Sequence, residues 1–178
     1  AQQEAQRCLQ CDLLCNICTT VCPNRANIAF PADPIEICVQ QGVRAGKKIR
    51  IEEVESLRIA QKTQIINIGD FCNECGNCVT FCPTSGSPFQ TKPRFYLTED
   101  SFNKEEYGYY ISENQIKYKN KSGIEYLTLN DDLMTYESDT VVVNFKNDNF
   151  DLVDVKFKTD AKDKLILERV NGMYYLFK

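Results

Sequence analysis

Cysteines at short spacings are the side chains that could do chemistry in this chain. Residues 72–83 read CNECGNCVTFCP, which is a C-x2-C-x2-C-x3-C-P run without a departure. This spacing is typical of a loop that holds a [4Fe–4S] cluster, because three closely spaced thiolates can wrap around three irons. Gly76 has no Cβ and lets the backbone approach the inorganic sulfides, and Pro83 ends the loop.

A second cysteine group precedes this run and repeats part of it. From Cys15 to Pro23 it has the same C-x2-C-x3-C-P ending. We interpret its loop ligands as Cys11, Cys15 and Cys18, with one extra residue between the first two, and Cys8 as a spare or alternative ligand. Two such groups form an internal repeat, which a single cluster would not need. The sequence therefore predicts two [4Fe–4S] clusters.

The cysteine before each proline decides how the two clusters are wired. In two-cluster ferredoxins this residue ligates the cluster of the other run. Such crosswise wiring gives one cluster the ligands Cys11, Cys15, Cys18 and Cys82. It gives the other cluster the ligands Cys72, Cys75, Cys78 and Cys22. Local wiring, with Cys8 joining the first group and Cys22 left spare, stays open because a minimal ferredoxin needs a shorter connection between the runs.

The composition excludes several other classes of chemistry. The chain has 178 residues, a formal net charge of −4 and no histidine, which removes Ser-His-Asp triads and mixed Cys/His zinc sites. Without a clustered basic stripe we expect no nucleic-acid partner, and no apolar run approaches the roughly 18 residues of a membrane span. No signal peptide opens the chain, so we predict a cytoplasmic protein without disulfides. Structural zinc held by four cysteines is the remaining rival, although its cysteine pairs usually lie farther apart in sequence.

Side-chain chemistry also divides the chain in two. All ten cysteines precede residue 83, whereas all nine tyrosines follow residue 95. Two prolines bracket a short polar stretch near residues 87–93, where we place the boundary. We therefore predict an α+β chain, in which a ferredoxin-like two-cluster iron–sulfur module at 1–92 is followed by a small antiparallel β domain at 93–178.

Short alternating segments predict the strands that position these residues. In the first part the predicted strands are 35–39, in which Cys38 is a small buried hydrophobe, 49–51 and 64–68. In the second part they are 109–111, 115–118, 124–129, 141–145 and 152–157, with a hairpin loop at 120–123. A final hairpin is predicted from 165–170 and 173–177. These two runs flank Asn171-Gly172, a dipeptide suited to a type I′ turn.

The cysteine blocks resemble those of a known family. Residues 7–27 (RCLQCDLLCNICTTVCPNRAN) and 64–89, centred on FCNECGNCVTFCP, are similar to the carboxy-terminal iron–sulfur region of the selenate reductase iron–sulfur subunits. Those proteins are large relatives of the glutamate synthase small subunit. Residues 4–11 (EAQRCLQC) resemble the segment that introduces iron–sulfur ligands in that wider group. The resemblance thins beyond Leu97.

The resemblance implies an electron-transfer module of a larger oxidoreductase. In the intact polypeptide it would relay electrons between an upstream flavin or NAD(P)H domain and a partner redox protein, and this chain alone would turn over no substrate. No G-x-G-x-x-G motif is present, so the nucleotide site must lie upstream or on another subunit. The first methionine, Met134, also predicts a piece of a longer polypeptide. The alternative hypothesis is a non-redox interaction module stapled by zinc.

Overall fold

Two compact units make up the part of the chain that the computed structural model describes, which is residues 15–45, 48–147, 151–158, 164–166 and 168–177. The first unit contains residues 15–34 and 60–104, and the second contains 35–59 and the described residues from 105 onward. Each unit is discontinuous in sequence. The functional division into 1–92 and 93–178 stays a prediction. Two of the candidate ligands, Cys8 and Cys11, lie outside the described residues.

The first unit carries the cysteine loops on short helices beside three strands. The strands are β1 (Asn27–Pro31), β4 (Thr63–Ile68) and β5 (Arg94–Tyr96), in the order β1-β4-β5. β4 pairs antiparallel with β1 and parallel with β5. The helices are α1 (Ile17–Thr20), a 3₁₀ turn (Gly69–Phe71), α2 (Asn77–Thr80), α3 (Pro88–Thr91) and α4 (Glu99–Lys104). The predicted strand at 64–68 is confirmed.

Antiparallel strands dominate the second unit. Six of them pair in chain order, each antiparallel to the next: β6 (Gly108–Ile111), β7 (Gln115–Asn120), β8 (Gly123–Leu129), β9 (Leu133–Glu137), β10 (Val141–Lys146) and β11 (Leu152–Phe157). The long hairpin of β2 (Ile35–Ala45) and β3 (Lys48–Ile59) pairs with β12 (Lys164–Ile166) in the order β12-β2-β3. The strands predicted up to residue 157 are confirmed, whereas β9 was not predicted.

One face of the six-strand meander forms the core of the second unit. Cross-strand neighbours make a buried row across it, which consists of Ile116, Leu127, Tyr136, Val143 and Val155. On β10 buried residues alternate with more exposed ones, the period of two that predicts a half-buried strand. The register is therefore fixed by burial, since a slip of one residue would turn the row to the opposite face.

The predicted final hairpin is wrong, because residues 168–177 form the helix α5. Its buried residues are Val170, Met173 and Tyr174, which are 1%, 0% and 4% exposed. Their spacing of three and four residues places them on one helix face, and α5 packs against β2, β7 and β8. Burial of this face outweighs the local turn preference of Asn171-Gly172, since a glycine inside a helix costs only about 1 kcal/mol.

The replacement of Gly172 by alanine tests this helix. Gly172→Ala should raise the free energy of unfolding by about 0.5–1 kcal/mol, because alanine loses less backbone entropy in a helix. A Cβ at this position would meet no atom within 4 Å. Urea unfolding followed by circular dichroism measures the change.

Gly123→Ala is the matched control for that measurement. Gly123 has a φ of +129°, and a Cβ there would collide with the Asp139 carboxylate, so this variant should be less stable than the wild type. A loss of stability in Gly172→Ala, similar to that of Gly123→Ala, would contradict the helix and favour the turn.

The secondary structure is mixed, with short helices and mostly antiparallel strands. It agrees with the predicted combination of the two element types, whereas the ferredoxin-like arrangement of two clusters stays a prediction. Across the described ranges, none of the helices has the length and apolar character needed to cross a membrane.

Candidate metal centre

Four cysteines from two separate segments line one cavity in the first unit. They are Cys22 and the three cysteines of the second cysteine loop (residues 72–78), namely Cys72, Cys75 and Cys78. The cavity encloses about 280 Å³, including the space at its open mouth, and Asn27, Gly76 and Phe89 also form its walls. These four cysteines are the set that crosswise wiring assigns to one cluster. Their ligation of a cluster stays a prediction.

A left-handed backbone conformation at Gly76 shapes the second cysteine loop. Gly76 has a φ of +81° and is the N-cap of α2. Its carbonyl oxygen accepts hydrogen bonds from the backbone N–H groups of Val79 at 2.9 Å and Thr80 at 3.0 Å. A Cβ on Gly76 would meet no protein atom within 4 Å, so the described chain requires glycine here for its φ.

The two Cys-Pro segments hold their sulfur atoms in the same way. The backbone N–H of Ala26 donates to Cys22 Sγ at 3.2 Å, and that of Gly86 donates to Cys82 Sγ at 3.2 Å. In both cases the donor is four residues after the cysteine. A thiolate accepts such hydrogen bonds more strongly than a neutral thiol does. Both sulfurs are therefore placed where a negative charge on them is stabilised.

The backbone around these segments repeats as well. Arg25 and Ser85, each three residues after a Cys-Pro cysteine, have φ values of 54° and 55°. Cys18 and Cys78 each occupy the second position of a four-residue helix, in α1 and α2. Both of these cysteines are 7% exposed. The internal repeat in the sequence thus corresponds to two segments with matching local geometry.

Cys18 and Cys78 share one apolar cluster with Ile65. Burial raises the pKa of the Cys18 thiol, while the positive charge of Lys92 acts in the opposite direction. Metal ligation requires the thiolate. A bound cation would therefore have to offset the cost of burying this charge.

Cys82 has the opposite electrostatic surroundings. The Thr84 hydroxyl lies 3.3 Å from Cys82 Sγ, and this hydrogen bond is the first reason why the pKa of the Cys82 thiol is lowered. The charge of Lys92 lowers it further. Lys92 thus acts on Cys18 and Cys82, two of the four residues that crosswise wiring assigns to the other cluster. Of that set, Cys15 is partly buried and Cys11 lies outside the described residues.

A pair of buried asparagines supports the floor of the cavity. Asn27 on β1 and Asn67 on β4 are direct register partners and are 4% and 0% exposed. Asn67 Nδ2 donates to Asn27 Oδ1 at 2.9 Å, and Asn27 Nδ2 donates to the carbonyl oxygen of Cys18 at 3.1 Å. This chain of hydrogen bonds connects both strands to the α1 helix that carries Cys18.

Asn27→Ala is expected to lower the free energy of unfolding by about 1–3 kcal/mol. The change removes the acceptor of the buried Asn67 amide and the donor to the Cys18 carbonyl, and unpaired buried polar groups carry this cost. Chemical unfolding of the purified chain measures it. Asn73→Ala, an exposed residue of the same cavity wall, is the control and should change stability by less than about 0.5 kcal/mol. Equal effects of the two variants would contradict a structural role of the buried pair.

An ion pair fastens the second cysteine loop to β5. Arg94 Nη1 lies 2.7 Å from Glu74 Oε1, and the two side chains are 6% and 53% exposed. The Arg94 guanidinium also lies over the Tyr96 ring, 5.9 Å from its centroid. Glu74 has a φ of 55°, which is uncommon for a residue with a side chain. The pair therefore holds an unusual backbone conformation between Cys72 and Cys75.

Asn27, Asn67 and Arg94 are the site residues that sequence reasoning missed. Each is a polar residue at a buried strand position, and buried polar groups need partners inside the protein. The available signal was a polar residue in an apolar run, such as Asn67 within Ile65-Ile66-Asn67-Ile68. That pattern alone does not name the partner.

The described cysteines whose side chains form part of the structure are free thiols. They are Cys15, Cys18, Cys22, Cys72, Cys75, Cys78 and Cys82. Within the described ranges no three Cys, Asp or Glu side chains are grouped as they would be around a single metal ion.

Comparison with known proteins relates the chain to oxidoreductases. No family model matches the sequence, and no solved structure matches it. The matches are to curated bacterial proteins that carry an oxidoreductase name.

One of these proteins is "Putative oxidoreductase YgfK" of Escherichia coli strain K12, to which the chain is 30% identical over 116 residues, or 65% of its own length. The protein of the same name from Escherichia coli O157:H7 gives the same values. The chain spans about 9% of the length of these relatives.

Proposed function

We propose that this chain is the electron-transfer module of a larger oxidoreductase and that it holds two [4Fe–4S] clusters. Cys22, Cys72, Cys75 and Cys78 would ligate one cluster. Cys11, Cys15, Cys18 and Cys82 would ligate the other. The module would relay electrons between a flavin or NAD(P)H domain of the same polypeptide or subunit and a partner redox protein, without turning over a substrate itself.

The observation that carries this proposal is the position of Cys22 at the cavity of the second cysteine loop. Residues 23–71 separate it from that loop, and nothing in the spacing of the run alone requires it to be there. Crosswise exchange of the Cys-Pro ligand is the wiring of two-cluster ferredoxins. The same cysteine was assigned to this set from the sequence before its position was considered.

The donor set and its surroundings fit an iron–sulfur cluster. Such clusters are held by four cysteine thiolates, and hydrogen bonds to the sulfurs tune their potentials. The backbone N–H groups of Ala26 and Gly86 already point at Cys22 Sγ and Cys82 Sγ. When bound, the clusters would supply one-electron redox chemistry. The protein's own part is to orient the thiolates and to stabilise their charge.

The relatives support a redox role of this kind. Both are named oxidoreductases, and the matched segment is a small part of each of them. The similarity of the cysteine blocks to the selenate reductase iron–sulfur subunits agrees with a module inside a longer redox polypeptide. The identity of the overall substrate belongs to the parts of such a polypeptide that lie outside this chain.

Anaerobic purification followed by iron, sulfide and zinc analysis tests the proposal. We expect about eight irons and eight sulfides per chain, as two cubane clusters require, and a broad visible absorption that dithionite bleaches. A colourless protein that contains zinc and no iron would contradict the proposal and favour the zinc-stapled interaction module.

A further inference from the structure

The two Cys-Pro segments differ in one hydrogen bond to sulfur. Each cysteine accepts from a backbone N–H four residues later, at 3.2 Å in both cases. Only Cys82 also has a hydroxyl at hydrogen-bond distance, since Thr84 Oγ1 lies 3.3 Å from its Sγ. Asn24 occupies the equivalent position after Cys22, and within the described residues no side chain donates to Cys22 Sγ. The repeat is therefore symmetric in its backbone and asymmetric in its side chains.

This hydroxyl has a defined direction once Cys82 is a ligand. A coordinated cysteine is a thiolate and has no proton to give, so Thr84 must donate and Cys82 Sγ must accept. A donor to a thiolate stabilises negative charge on the sulfur. Reduction adds negative charge to an iron–sulfur group, and the hydrogen bond therefore stabilises the reduced state more than the oxidised state.

A second feature acts in the same direction. Lys92 exerts its positive charge on both Cys18 and Cys82. These two residues belong to the same set under crosswise wiring. By contrast, the cation beside the second cysteine loop, Arg94, is paired with the Glu74 carboxylate at 2.7 Å.

We propose, on the basis of the function proposed above, that the Thr84 hydroxyl places the reduction potential of the cluster ligated by Cys82 above that of the cluster ligated by Cys22. Thr84 is a positioning residue in this role, because it acts through the Cys82 sulfur. At equilibrium a single electron on the module then resides on the Cys82 side. The side chain of one exposed threonine thus gives a nearly symmetric repeat a preferred end.

An EPR-monitored redox titration of the intact chain, poised anaerobically with dithionite and mediators, tests this assignment. The wild type should show two reduction steps. Thr84→Val keeps the shape of the side chain and removes the hydroxyl, so the higher step should fall by about 59 mV, which is a tenfold change for a one-electron couple. The lower step should not move. Thr84→Ala should give the same result if the valine variant assembles poorly.

Two further variants separate the hydrogen bond from a general structural effect. Thr84→Ser retains the hydroxyl and should keep the higher step at its wild-type potential. Asn24→Ala changes the equivalent residue of the other segment and should move neither step. An unmoved higher step in Thr84→Val and Thr84→Ala, or a fall of the lower step instead, would overturn the assignment.

The failure of this inference is distinct from the failure of the proposed function. A protein with two clusters and unchanged potentials in the Thr84 variants overturns only the order of the potentials. A wild-type protein without iron and sulfide overturns both.

Discussion

Replacing Cys22 by alanine is expected to convert the cluster of the second cysteine loop to a [3Fe–4S] form. Cys72, Cys75 and Cys78 would remain as ligands, and the iron that depends on Cys22 would lose its thiolate. We expect a loss of about one iron per chain and a new EPR signal in the oxidised protein, typical of a three-iron cluster. The cluster of the other set should stay intact, because Cys22 is not among its ligands.

Cys8→Ala is the control that separates the two wirings. Crosswise wiring leaves Cys8 without a ligand role, so this variant should keep the iron content and EPR spectrum of the wild type. Cys38→Ala should do the same, since Cys38 lies in β2 of the second unit. If Cys8→Ala destroys a cluster and Cys22→Ala is silent, the local wiring is correct and our ligand assignment is wrong.

Phe145→Ala is expected to cost the second unit about 3–5 kcal/mol of its free energy of unfolding. Phe145 is 1% exposed on β10, and its register partners are Met134 on β9 and Leu152 on β11. Truncation removes a large buried side chain and leaves a cavity that a strand paired on both sides cannot close. The midpoint of urea unfolding, followed by far-UV circular dichroism, should fall accordingly.

Val153→Ala serves as the control on the adjacent strand. Val153 is 50% exposed, so its truncation should cost less than about 1 kcal/mol, mostly through lower β propensity. Similar losses for the two variants would contradict a core on the Phe145 face of the sheet.

The strands could be predicted because burial follows the period of the sequence. Val141, Val143 and Phe145 alternate with more exposed residues on β10, and this alternation is visible without any structure. β9 was missed because it is short and its Thr135 and Tyr136 are not clearly divided into apolar and polar faces. The helix α5 was mistaken for a hairpin because Asn171-Gly172 is a strong local signal. The competing signal, in which Val170, Met173 and Tyr174 share one helix face, becomes decisive only when a sheet covers that face.

The candidate site could be predicted in its ligands and not in its supports. Thiolate chemistry depends on spacing within short loops, so Cys72, Cys75 and Cys78 are recognisable from sequence alone. The supporting contacts join residues far apart in the chain, as Asn27 joins Asn67 and Glu74 joins Arg94. No local pattern specifies such partners, because they are set by strand register and by the packing of loops on the sheet.

The hairpin of β2 and β3 is encoded between the two cysteine segments but belongs to the second unit. The chain therefore leaves the first unit after Pro34, returns at Ala60 and leaves it again after Lys104. A gene fragment beginning at residue 105 would omit β2, which pairs with β12 and packs against α5, and would expose an apolar helix face. Neither unit can be excised as one contiguous stretch of the gene, so an engineer who wants to transplant either of them must reconnect the chain at new junctions.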